Sequence, residues 1–174
     1  MVRQIIKIFL LLICSNCSAQ QYIGNNGRVS FFSEAPMEDI SAVNKRVSAV
    51  FDATSNDLVF QLRISDFVFP KSLMQEHFNE NYLESDIYPS AIFIGRLVNI
   101  RNSKATVQGD LTIHGKTNKI KVDGVMKQDE QRVNIEAEFM VKLEDYDIKI
   151  PRVVMYKIAE SVDIEVNIEL EVIK

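Results

Sequence analysis

Few residues in this chain are of a type and spacing that could do chemistry. His77 precedes Glu80 and Glu84. On a helix that spacing sets one imidazole and two carboxylates along part of one surface, where they would hold a metal ion or exchange a proton. One imidazole and two mobile acids make an incomplete metal site, and the competing reading is an interfacial histidine satisfied by a neighbouring carboxylate or backbone group. His114, in Ile113-His114-Gly115-Lys116-Thr117, stands where a strand runs into a turn. No nucleophile adjoins it, so a side chain hydrogen-bonded into that turn is preferred over a catalyst. Both cysteines, Cys14 and Cys17, lie near the N-terminus, and the remainder of the chain has no Gly-rich phosphate loop and no metal-spaced cluster. The expectation is a protein without catalytic residues, metal or cofactor.

The element that carries His77 interrupts a succession of β-type segments. Residues 67–89 read FVFPKSLMQEHFNENYLESDIYP, with Met74, Phe78 and Tyr82 at successive four-residue steps. That period predicts one amphipathic helix over about 72–84, with Ser72 and Gln75 as a capping box and Pro70 blocking extension backwards. Gln75, Glu76, Asn79 and Glu80 fall on its outward face. Such a helix must lie across something apolar, and the rest of the chain offers only sheet.

The remaining segments alternate with a period of two. Residues 21–23 suit a short edge strand and Asn25-Asn26-Gly27 a tight turn, followed by a strand at 28–33. Residues 34–45, with a proline and several acids, read as a loop with at most one helical turn. Strands are expected at 46–52, 57–65, 90–101, 104–113, 118–127, 132–143 and 162–172. The last is the cleanest: Val162, Ile164, Val166, Ile168, Leu170 and Val172 alternate with polar residues. The strand at 90–101 is apolar on both faces in its middle, so the preceding helix is expected to cover its outer side. Long strands with one wet and one apolar face require two packed sheets or one closed sheet, and closure removes exposed edges. The fold expected is mainly β, a single antiparallel up-and-down barrel, with a sandwich as the alternative.

A barrel interior either fills with side chains or holds an elongated ligand. Gly95, Gly109, Gly124, Ala105 and Ala137 fall inside strands, where glycine weakens the sheet unless backbones approach closely or a tunnel needs room. In the tunnel reading Phe60, Phe67, Phe69, Phe78, Tyr82, Phe93 and Phe139 are the aromatic lining and Met74 an adaptable filler, with Gly109 and Ala137 giving space.

Of 174 residues, the first nineteen read as a signal peptide: Arg3 and Lys7, then the apolar run 8–13, then Cys17-Ser18-Ala19 with small residues at the cleavage positions. Cleavage after Ala19 leaves one domain, 20–174, without a thiol. Ile13 and Asn16 precede the cysteines poorly for lipid attachment, and the apolar run is short for a bilayer span of ~20 residues. Loss of Arg3 and Lys7 moves the formal charge from -4 to -6, a balance that repels nucleic acid and anionic membrane. The destination expected is the periplasm or the medium.

Three stretches carry a family resemblance. HFNENYLESDIYPSAIF at 77–93, GDLTIHGKTNKI at 109–120 and DYDIKIP at 145–151 together resemble the YceI-like proteins over almost the whole mature chain. The resemblance implies an extended lipocalin-like barrel and a non-enzymatic carrier. Its partner would be a long isoprenoid lipid, such as a quinone or a prenyl diphosphate, held along the interior with its polar head near the open end. A diphosphate head would then want cations, and Lys71, Lys149 and Arg152, with Lys157, are the local candidates, against the alternative of a solvated rim.

Overall fold

Apolar-polar alternation along successive segments returns each strand beside its predecessor, and the eight strands among the described residues all do so. The computed structural model describes residues 20–34, 39–149 and 160–173. The strands are β1 Gln21–Ser33, β2 Ile40–Asp52, β3 Asp57–Arg63, β4 Ser90–Arg101, β5 Lys104–Ile113, β6 Lys116–Gln128, β7 Arg132–Lys142 and β8 Ser161–Val172. Each pairs antiparallel with the next and β8 pairs with β1, giving a closed up-and-down barrel and excluding the sandwich.

The ladders are unequal in length, and this shapes the interior. β7 and β8 pair continuously from Arg132↔Glu171 to Lys142↔Ser161. By contrast, β2 and β3 pair only from Ser48↔Gln61 to Asp52↔Asp57, and β6 and β7 only from Gly124↔Ala137 to Gln128↔Val133. The barrel is therefore two four-stranded sheets, β3 to β6 and β7-β8-β1-β2, zipped together at one end and splayed at the other. The segment after β3 fills the first fork: Val43 and Val68 exchange backbone hydrogen bonds, and Asn44 Nδ2 donates to the Arg63 carbonyl at 2.8 Å. The segment after β7 fills the second fork, where Asn118 Nδ2 donates to the Asp145 carbonyl and Tyr146 and Ile148 are buried.

Local readings shift in several places. β1 is one strand: the Asn25-Asn26-Gly27 stretch is a bulge, marked by register shifts against both β2 and β8, because partners on both sides leave no room for a reversal. β2 begins at Ile40, inside the expected loop, since pairing with β1 outweighs the weak local pattern. The expected helix is helix α1, Ser72–His77, continued by a π-helical turn, Phe78–Tyr82. Lys71 occupies the cap position and makes no capping hydrogen bond to the helix, and Gln75 Oε1 instead accepts from the Phe69 amide at 3.2 Å, so the capping box does not form. Nor does the helix cover the outside of β4, where Ile94 is 60% exposed. Its apolar side turns toward the barrel interior.

Candidate functional site

The β3–β4 and β5–β6 connections lie at the splayed end, together with α1 and the Ser33, Ile40, Lys142 and Ser161 ends of β1, β2, β7 and β8. There the barrel holds a cavity of about 670 Å³. The burial of β8 traces its depth: inward-facing Ile168 and Leu170 are fully buried, whereas Val162, Ile164 and Val166, equally apolar and also inward, are only half-buried. β7 repeats the gradient with Val133 and Ile135 buried and Ala137 and Phe139 half-buried. Those half-buried side chains border the cavity, whose wall is overwhelmingly aliphatic and aromatic.

Of the lining residues expected, Phe60, Phe93, Ala137 and Phe139 border it from the strands, Phe67 and Phe69 from the fork segment, and Met74, Phe78 and Tyr82 from the helical region. Gly109 does not. It faces Gly95 across the β4–β5 ladder, and a Cβ there would run into the Ile94 carbonyl oxygen and the Gly95 Cα, so close backbone approach explains this glycine. Phe31 was not anticipated. It stacks on Phe78 with centroids 5.6 Å apart and meets Phe67 and Phe69 edge-on at 5.4 and 5.7 Å, so it shares the middle of the aromatic cluster with Phe78, which contacts the same two rings. The sequence signal was present in Phe31-Phe32, but period two alone does not say which of the pair points inward; Phe32 is exposed.

Polar groups on the cavity gather toward the splayed end. Lys71 and His77 border it as exposed side chains. Burial pushes the Tyr82 hydroxyl above its ordinary pKa, so it stays neutral. Ser33 is 3% exposed, and its Oγ has no hydrogen-bond partner among the described residues. A buried hydroxyl on the wall of an apolar cavity is a group that a ligand's polar atom would satisfy. Lys149 is exposed and does not border the cavity, so it is not brought to this site; Arg152 and Lys157 lie outside the described residues.

The histidines part company. Glu84 does not share a surface with His77 but lies against His114, whose Nε2 is 2.9 Å from Glu84 Oε2 and whose Nδ1 is 3.1 Å from the Tyr146 carbonyl. Tyr88 packs edge-on against the same ring at 4.5 Å. His114 thus ties the exit of the helical region and the second fork segment to the β5–β6 turn, rather than bonding back into its own turn. Glu84, His114 and Asp147 all carry positive φ, local strain that this node of contacts holds in place. No group of three or more His, Cys, Asp or Glu side chains suited to a metal occurs among the described residues.

A family model for the YceI-like domain matches residues 20–170, all but the last two residues of the barrel. The chain belongs to the YceI-like family. Its barrel is similar to that of Burkholderia cenocepacia BcnA, with TM-score 0.72 at 18% identity, covering 85% of this chain and 96% of that one. It is similar also to a polyisoprenoid binding domain from Saccharophagus degradans implicated in plant cell wall breakdown, with TM-score 0.73 at 12% identity, over 88% of this chain and 98% of that one. The Campylobacter jejuni YCEI protein aligns with TM-score 0.65 at 18% identity, over 79% and 88%. At these identities the likeness establishes the fold. No curated protein matches this YceI-like chain in sequence.

Proposed function

We propose that this protein binds one amphiphilic long-chain isoprenoid lipid, a quinone or a prenyl diphosphate, in the barrel interior and carries it without transforming it. The observation that carries this reading is the cavity: inward strand positions near the splayed end keep accessible apolar surface around about 670 Å³. Open apolar surface of that extent is stabilised by an apolar occupant, at ~0.8 kcal/mol for each methylene group buried. Ser33, Tyr82 and Lys71 stand where the head of an inserted chain would emerge. The Saccharophagus relative is described as a polyisoprenoid binding domain, which supports the same ligand class. A neutral, branched hydrocarbon chain makes no demand on charged residues inside the barrel, and the inward positions of β7 from Val133 to Val141 and of β8 from Val162 to Val172 are all apolar. With residues 1–19 as a leader, loading takes place in the periplasm or the medium.

The test is native mass spectrometry with organic extraction of the protein purified without detergent from its own host. A stoichiometric isoprenoid lipid is expected. A clean apo mass that persists after addition of quinones and prenyl phosphates would defeat the proposal and favour a structural or protein-interaction barrel with a filled core.

A further inference from the structure

The cavity is blind. Its deepest wall is formed by Leu58, Ala105, Met126 and Ile135; below them Tyr22, Phe51, Val133 and Leu170 are 0–1% exposed and border no part of it. Tyr22 and Phe51 stack with centroids 6.3 Å apart. The Tyr22 hydroxyl donates to the Asp129 carbonyl at 3.0 Å and accepts from Gln128 Nε2 at 3.2 Å, both from the β6–β7 connection. This floor is closed by packing on one side and by satisfied hydrogen bonds on the other, so a chain entering from the splayed end stops there.

A stop of fixed position makes the cavity a measure of length. Along β8 the inward positions from Val162 down to Ile168 span about 20 Å at roughly 3.3 Å per residue, the extended length of about four isoprene units at ~4.7 Å each. We propose that the Tyr22–Phe51 floor selects isoprenoid chains of about four units, and that the extra units of longer chains remain outside the mouth and add little affinity. This inference rests on the lipid-carrier reading above and assigns its ligand class more narrowly. The wall residues that set the length are Met126 at the bottom, which limits depth, and Ala137 higher up, whose small side chain leaves width between Gly124 and Phe139.

The experiment measures the affinity of the full-length protein for all-trans prenols of two, three, four, six and eight isoprene units, by competition against a fluorescent prenol. Affinity should climb about tenfold or more per unit up to four, and change less than about threefold in total beyond it. Ala137→Leu adds a side chain to open space and should move the plateau down to about three units; Met126→Ala should move it up by about one. If Met126→Ala does not fold, Ala137→Leu decides alone. Affinity in the unsubstituted protein that keeps rising through eight units overturns the length limit while upholding the lipid reading, as does an Ala137→Leu plateau that stays in place. Failure to bind prenols of every length overturns the lipid reading itself, and the length limit with it.

Discussion

The two ends of the barrel are built from the same strands with the same alternation and have opposite characters. At the zipped end the connections are tight. Asp52 accepts from the Gln21 side chain and from the Thr54 and Ser55 amides, and Asp129 from the Gln131 and Arg132 amides. Between these turns Tyr22, Phe51, Leu58, Val133 and Leu170 meet across the barrel and are fully buried. At the splayed end two ladders are missing their upper halves, the gaps are wedged by the segments after β3 and β7, and Val162, Ile164 and Phe139 look across space. An inward apolar residue contributes stability where opposite walls touch and binding surface where they do not. Side-chain type is the same at both ends; the distance between walls is what differs.

That contrast can be broken by substitution. The largest effect is expected at the glycine pair that lets the β4 and β5 backbones approach closely: Gly109→Leu drives a side chain into the β4 backbone and should cost more than about 3 kcal/mol, read as loss of soluble protein or of the cooperative urea transition. Next, Leu170→Ala at the floor should destabilise by about 2–5 kcal/mol, while Val162→Ala, at the mouth end of the same strand face, should cost under about 1 kcal/mol. Equal costs in parallel denaturation curves would mean that the splayed end is packed like the floor. Phe78→Ala removes the ring stacked on Phe31, and should weaken binding of a prenol by about tenfold with a smaller loss of stability.

Two finer tests sharpen the same contrast. Ser33→Ala deletes a buried hydroxyl that has no partner among the described residues, so the empty protein should be as stable or slightly more so, while affinity for a ligand whose head reaches Ser33 falls about threefold to tenfold. The smallest effect is on pH. Hydrogen bonds from Gln21 and from the Ser55 and Thr54 amides hold the Asp52 carboxyl below the ordinary aspartate value; those from the Gln131 and Arg132 amides do the same for Asp129. A lowered folded value means that the contribution to stability is complete above the unfolded value of about 3.9 and is lost as pH falls through the folded value. Urea midpoints should therefore be flat from about pH 5 to 8 and decline below about pH 4, with Asp52→Asn and Asp129→Asn reducing the acid slope. A decline already under way at neutral pH would assign the sensitivity elsewhere.

Much of the barrel was legible because its signals are local. The strict alternation at β8 predicted a strand with one apolar face, and the four-residue steps of Met74, Phe78 and Tyr82 placed a helical region between β3 and β4. The reading went astray where a distant partner overrode the local pattern. Asn25-Asn26-Gly27 is a sound turn signal, yet β2 and β8 hold it in a bulge. Ser72 and Gln75 form a sound capping pair, yet the Phe69 amide takes Gln75. Glu84 has helical spacing to His77, yet the π-helical turn and the positive φ at Glu84 carry it to His114.

By itself the sequence determined where most of the strands run, most of the side chains that line the interior, and that the helical region falls between β3 and β4, because side-chain alternation and helical period are properties of neighbouring residues. Only the tertiary structure decided that Phe31 rather than Phe32 faces inward, that Gly109 serves close backbone approach rather than a wall, and that the ladders between β2 and β3 and between β6 and β7 stop halfway. Those outcomes depend on register and coiling, which are settled by contacts between residues far apart in the chain. The cavity is a consequence of where two pairs of strands part company, and that distance is written in no single segment.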